Sequence, residues 1–248
     1  MKIRTVMPAL GALAAVLLLA GCGSDGEGPA KAAPSAGAPG YGCLEQARAD
    51  KGLFALDSVA KRDAYYQDSD PGKAKVAVVF SHENGATLCD WIPFVEDFTR
   101  AGYATLAYTS AGDLPQDIEA AAKYLKGKGV EKVVLVGASK GGTGSLAAAA
   151  TPGGSLPVAA VVTLSSPTSF GSWNGVEAIA RISAPLFIAA QENDQPFAEN
   201  AAELAKAATA PVKELKIYQG ASHGARLLPQ GTAKADLLAF LAKNAPSG

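Results

Sequence analysis

The chain has 248 residues, 48% hydrophobic and 18% charged, with a formal net charge of −1. This is a globular composition, and without its first 21 residues the chain is one domain of about 200 residues, long enough to bury a sizeable core. Removing Lys2 and Arg4 with that segment leaves 20 basic against 23 acidic residues; no basic patch or arginine-rich run remains, which excludes nucleic acid as a partner class.

In chain order, Lys2 and Arg4 precede an apolar run from Val6 to Ala20, broken only by Pro8 and Gly11. The run is short for a spanning helix and has the layout of a secretory signal. Its end, Leu19-Ala20-Gly21-Cys22, resembles the lipobox of bacterial lipoproteins. That resemblance implies cleavage after residue 21 and a lipid anchor on Cys22. Residues 23–42 are rich in Gly, Ala, Pro and Ser with no apolar pattern, as expected of a tether that cannot bury enough surface to order itself. The expected organisation is a signal over 1–21, a lipidated cysteine and tether over 22–42, and a folded domain over 43–248. Export would place that domain outside the cytoplasm, held at a membrane by its lipid. Cys43 and Cys89 are then the only other cysteines, left either to pair or to stay as thiols.

Within the domain, Phe54–Leu56 and Ala64–Tyr66 read as edge strands or an N-terminal hairpin. Val76–Phe80 is a continuous apolar run, as in a strand buried on both faces. Trp91–Arg100 reads as a helix, Tyr103–Tyr108 as a strand, and Leu114–Lys126 as a helix with Ile118, Ala121, Ala122 and Leu125 at helical spacing. A strand ending at Ala138 leads into a helix over 141–150. Strands over 158–164, 186–190 and 215–218 follow, with helices around 176–182, 198–208 and 232–242. This alternation predicts an α/β fold with a doubly wound, mainly parallel sheet. Ligands of such sheets bind beyond the carboxyl ends of the strands.

The motif that carries chemistry is Gly137-Ala138-Ser139-Lys140-Gly141, which directly follows the apolar run Lys132–Val136. A Gly-x-Ser-x-Gly sequence between a strand and a helix is a nucleophile elbow, whose glycines let strand and helix pass closely at a strained serine. A serine hydroxyl needs a base, usually a histidine oriented by a carboxylate. The chain has two histidines. His223 follows the last strand, and Asp194 follows the strand before it, competing with Glu192 for the acid role. The order Ser139, Asp194, His223 is that of the α/β-hydrolase triad. His82 lies after the first core strand, in Ser81-His82-Glu83-Asn84-Gly85, where an oxyanion loop belongs, and is expected to order that loop. Glu83 reads as a surface charge, and Lys140 as a side chain turned to solvent.

On these residues, over roughly 73–244, the chain resembles the α/β-hydrolase family, in particular its small dienelactone-hydrolase-like and serine-esterase members. The resemblance implies a fold with little or no lid, since only Ser165–Gly175 is available for one, and an activity on small or accessible carboxylic esters. In that family the oxyanion loop commonly reads His-Gly-x. Here Glu83 stands at the glycine, and by the same register Asn84 and Lys140 would supply the two backbone N–H groups of the oxyanion hole. No cofactor is implied, and no His/Cys/Asp cluster has metal-ligand spacing. A peptidase or thioesterase of the same fold, or a non-catalytic binding protein on a hydrolase scaffold, are the alternatives. Oligomeric state is not legible.

Overall fold

The computed structural model describes residues 40–58, 62–70, 72–110 and 112–248. The expected signal over 1–21, Cys22 and most of the tether therefore lie outside the described residues. Among the described residues, no helix is long and apolar enough to cross a membrane. Residues 40–42 already form a short turn, and Tyr41 packs against the core and hydrogen-bonds Thr109 through its hydroxyl at 2.7 Å. An aromatic ring with a partnered hydroxyl gives this segment enough burial to order it.

Strands β1 (Leu53–Leu56), β2 (Arg62–Gln67), β3 (Val76–Ser81), β4 (Ala104–Tyr108), β5 (Lys132–Ala138), β6 (Val158–Leu164), β9 (Leu186–Gln191) and β10 (Lys213–Tyr218) build one sheet. Its order is β1-β2-β4-β3-β5-β6-β9-β10. The pairs β1/β2 and β2/β4 are antiparallel, and every later pair is parallel. The N-terminal segment is thus a hairpin extending the parallel sheet. Between β6 and β9, β7 (Ser169–Phe170) and β8 (Trp173–Asn174) form a separate two-stranded hairpin.

β3, β4 and β9 are buried along their whole length, in keeping with their predominantly apolar sequences where helices cover both faces. On one face lie α2 (Val95–Arg100) and α7 (Ala233–Asn244), with Phe80, Trp91, Phe98 and Phe240 in the core. The other carries α3 (Leu114–Gly127), α4 (Lys140–Ala149), α5 (Gly175–Ile179) and α6 (Phe197–Ala207), over Leu106, Leu135, Leu146 and Ile188. A further helix, α1 (Gln46–Gly52), lies ahead of the hairpin, where no helix is expected. α3 starts where Asp113 accepts from the Gln116 N–H, with a proline in its first turn, and buries Ile118, Ala121, Ala122 and Leu125 as the spacing predicts.

The continuous helix expected over 91–100 is instead two short 3-10 turns, Leu88–Asp90 and Ile92–Phe94, followed by α2. Pro93 has no N–H and disfavours helical geometry at Ile92, so the regular helix begins only after it. Cys43 and Cys89 form a disulfide with Cα atoms 5.7 Å apart, tying the start of the domain to the first of these turns.

Candidate active site

The end of β5 fixes the centre of the site. Ser139 has φ 49° and ψ −119°, a left-handed conformation for a non-glycine residue, between β5 and the first residue of α4. Its backbone N–H donates to the Leu164 carbonyl at the end of β6, 2.8 Å away, which pins the turn to the sheet. The strained backbone persists because the surroundings leave no room to relax. A Cβ on Gly137 would lie 2.3 Å from the Gly141 carbonyl oxygen, and one on Gly141 would lie 2.1 Å from the Ser81 carbonyl oxygen. Both motif glycines are therefore required by close backbone approach, and the elbow sits directly against the end of β3.

That contact brings in the loop after β3. His82 is fully buried; its Nε2 accepts from the Ser110 N–H at 2.8 Å and its Nδ1 lies 2.7 Å from the Glu83 carbonyl. Since a backbone N–H can only donate, Nε2 must be unprotonated and Nδ1 must carry the hydrogen. Burial lowers the His82 pKa and keeps the ring neutral. His82 is thus a loop-ordering residue, with both ring nitrogens committed to backbone.

The end of β9 supplies Asp194 and the end of β10 supplies His223. His223 Nδ1 is 3.0 Å from each oxygen of Asp194. Asp194 is buried, whereas Glu192, the other acid in that loop, is exposed. The His223 ring also lies 4.3 Å, centroid to centroid, from Phe197 at the start of α6. Gln191 is a positioning residue that sequence reasoning missed. It is buried at the last position of β9, and its Oε1 accepts from the N–H of Ser222, next to the histidine. Its only signal is a polar residue closing the run Leu186–Ala190.

Two expectations about charged side chains do not hold. Lys140 is buried rather than turned to solvent; burial lowers its pKa, opposed by the charge of Asp117. The elbow drives α4 inward at this point, so a side chain in its first turn has no route straight to water. Glu83 is not a surface charge either: its side chain is 12% exposed. Its Oε1 pairs with the Arg226 guanidinium at 3.1 Å, and its Oε2 is buried without a hydrogen-bond partner. The carboxylate rests so closely on Gly224 that a Cβ there would meet Oε2 at 2.0 Å. Burial raises the Glu83 pKa, with Arg226 and His223 pulling it back.

Lys140 and Gly141 open α4, so their N–H groups have no acceptor within the helix. The Asn84 N–H makes no backbone hydrogen bond in its loop. Ser139, the free first-turn donors of α4 and the loop at Asn84 therefore meet at the carboxyl edge of the sheet. A cavity of about 880 Å³ lies elsewhere, lined by Ile118, Ala122, Val133, Leu156 and Val158. It opens beside the starting residues of β5 and β6 and is not the place of this chemistry. Among the described residues, no group of three His, Cys, Asp or Glu side chains is placed to hold a metal ion.

A model of the dienelactone hydrolase family matches residues 107–227, a span that includes Ser139, Asp194 and His223. No curated protein matches the chain. Among solved structures, the Pyrococcus furiosus esterase Pf2001 superimposes with a TM-score of 0.65 at 16% identity, covering 77% of this chain and 91% of that one. Dienelactone hydrolase from Anabaena variabilis gives 0.62 at 20% identity, over 77% and 95% of the two chains. Est1E from Butyrivibrio proteoclasticus gives 0.61 at 17%, over 76% and 96%. The fold is therefore that of the α/β-hydrolases, and the segment from the end of β4 to the loop after His223 is a dienelactone hydrolase family match.

Proposed function

We propose that the chain is a serine hydrolase that cleaves small or accessible carboxylic esters through an acyl-enzyme. The observation that carries this reading is the His223–Asp194 pair, facing the same sheet edge as a serine at φ 49°. With the Nδ1 hydrogen held by Asp194, Nε2 is the nitrogen free to act as base. Ser139 Oγ attacks the ester carbonyl carbon while His223 Nε2 takes its proton. The N–H groups of Lys140 and Asn84 hold the developing oxyanion, each such donor contributing about 3 kcal/mol to the barrier lowering. The protonated imidazole gives its proton to the leaving alkoxide, and the C–O bond breaks. Water, deprotonated by the same nitrogen, then attacks the acyl-enzyme and releases the acid and Ser139.

The match to the dienelactone hydrolase family and the fold shared with esterases support the reaction class. The small-ester preference is supported by the connection from β6 to α5, which holds only the short β7–β8 hairpin, with Phe170 and Trp173 stacked at 6.2 Å as its large apolar groups. Nothing there resembles a lid that would enclose a long acyl chain. The reading includes an extracytoplasmic setting with a lipid anchor on Cys22, supported by the Leu19–Cys22 sequence and by the disulfide, which an oxidising compartment favours.

The test is labelling with a fluorophosphonate probe beside a panel of acetyl, butyryl and palmitoyl esters. Labelling of the native chain, none of Ser139→Ala, and preference for the short esters are expected. Failure of the folded chain to label would overturn the mechanism, and preference for palmitoyl esters would overturn the specificity.

A further inference from the structure

The described residues expose three large apolar side chains, and all three lie in one stretch of six residues: Val212 at 36%, Leu215 at 41% and Ile217 at 44%. Leu215 and Ile217 belong to β10, which ends the sheet, so no described strand pairs with its outer edge. The backbone has a definite polarity there. Leu186 donates to the Val212 carbonyl and Glu192 to the Tyr218 carbonyl. Even-numbered residues of β10 therefore turn their backbone groups toward β9, while Lys213, Leu215 and Ile217 turn theirs outward. An edge strand with free donors and acceptors beside exposed apolar side chains is a template for another strand.

Edge lysines ordinarily prevent such pairing, and neither lysine of β10 is placed to do so. Lys213 Nζ is folded back onto the carbonyls of Ala205 and Ala208, 3.1 and 2.6 Å away at the end of α6. Lys216 stands 3.8 Å from Glu214 on the same strand. We propose that β10 pairs antiparallel with β10 of a second copy of this chain, about a two-fold axis through Leu215, to form a homodimer with one continuous sheet.

Charge selects that partner and that register. With the axis at Leu215, Leu215 faces the partner's Leu215 and Lys213 faces the partner's Ile217, all with outward backbone groups that exchange hydrogen bonds. Glu214 then faces the partner's Lys216 in the intervening non-hydrogen-bonded position, where opposed Cα atoms are only about 4.5 Å apart. The same contact repeats across the axis, because the interface is self-complementary. Moving the axis to residue 214 sets Glu214 against itself, and moving it to residue 216 sets Lys216 against itself, both repulsive. The Leu215 and Ile217 side chains of the two copies meet on the face that also carries α6.

The full chain carrying Leu215→Cys is exposed to a mild oxidant on intact cells and resolved without reductant. Residues opposed in a hydrogen-bonded antiparallel pair sit about 5.5 Å apart, within disulfide reach. A band of twice the chain mass is expected for Leu215→Cys and not for Lys128→Cys, an exposed position at the end of α3. Adding Glu214→Lys to Leu215→Cys is expected to cut the dimer yield at least about tenfold, and Lys216→Glu on top of both to restore it, since the double reversal recreates complementary pairs. Ester hydrolysis by each variant shows that it is folded, and the cross-linking result does not depend on the proposed reaction. Equal yields from Leu215→Cys and Lys128→Cys, or no rescue by the double reversal, would overturn the dimer.

Discussion

His223 Nδ1 lies 3.0 Å from both carboxylate oxygens of Asp194. The carboxylate therefore fixes the tautomer as well as the orientation of the ring, leaving Nε2 as the only basic nitrogen. Asp194→Asn preserves the shape but offers a donor where an acceptor is needed, so it favours the wrong tautomer. The expected outcome is a fall in kcat of about 10³–10⁴-fold with little change in KM and an unchanged melting temperature. A fall of less than tenfold in steady-state ester assays would show that Asp194 does not orient the base.

Gly141 makes a second prediction, about the elbow itself. A methyl group there would sit 2.1 Å from the Ser81 carbonyl oxygen and 2.7 Å from that of His82. The first is backbone of a strand end paired on both sides and the second is backbone of the loop that the buried His82 ring holds in place, so neither can swing aside. Gly141→Ala is expected to cost about 3 kcal/mol or more and to displace Ser139 enough to lose most activity. Gly127→Ala, at the end of α3 with nothing within 4 Å, serves as the control. Equal melting temperatures for the two variants would refute the packing argument.

Much of this architecture is legible in the sequence because its signals are local. β3 and β6 announce themselves by apolar and β-branched runs, and α3 by its helical spacing. The elbow and Asp194 each follow such a run and His223 follows the last strand of the alternation, so their shared sheet edge follows from topology. What escapes sequence reasoning depends on contacts distant along the chain. Lys140 and Glu83 are charged residues in loop-like surroundings, and only packing of α4 on β3 and of Glu83 on Gly224 buries them. Gln191 carries no motif, and its bond to Ser222 spans two strands. α1 is seven residues long, too short to give a periodic signal.

A pH dependence of stability follows from His82. Burial holds its folded-state pKa below the ordinary histidine value, so the unfolded chain binds the extra proton as pH falls. The unfolded state gains protons first, and stability is lost as pH drops below about 6.5 toward the folded-state value. Protonating Nε2 would also remove the acceptor for the Ser110 N–H. Melting temperatures measured from about pH 8 to pH 5 are expected to decline for the native chain and to decline less steeply for His82→Gln. Parallel profiles for the two proteins would assign the acid sensitivity to other groups.

Glu83 has the opposite linkage. Burial raises its pKa, so the folded state binds a proton more tightly than the unfolded state, and stability falls as pH rises through the folded-state value. Glu83→Gln keeps the shape and removes a buried charge whose ion-pair partner Arg226 is 71% exposed and holds it weakly. The variant is expected to melt higher than the native chain near neutral pH, with the gap closing in acid. The same carboxylate interacts electrostatically with the His223 ring, on which the proposed mechanism develops positive charge in the transition state. Glu83→Gln is accordingly expected to lower kcat by roughly tenfold while raising stability. A variant that loses stability at neutral pH would contradict this account of Glu83.

The Cys43–Cys89 disulfide closes a loop of 46 residues and anchors both the ordered start of the domain and the connection that follows Asn84. Removing it frees the unfolded chain far more than the folded one, because Tyr41 and Leu88 still meet at the Thr109 hydroxyl. The chain-entropy argument gives a loss of about 4 kcal/mol for a loop of this length. In a domain of about 200 residues that corresponds to a melting temperature lower by roughly 10 °C. Cys43→Ser/Cys89→Ser is expected to show this drop in calorimetry yet retain ester hydrolysis at 25 °C, since neither residue belongs to the proposed catalytic group. The native chain treated with reductant is expected to match the double variant. Unchanged melting after verified reduction would mean that the hydrogen bonds at Thr109 and the core packing of Tyr41 hold this segment unaided.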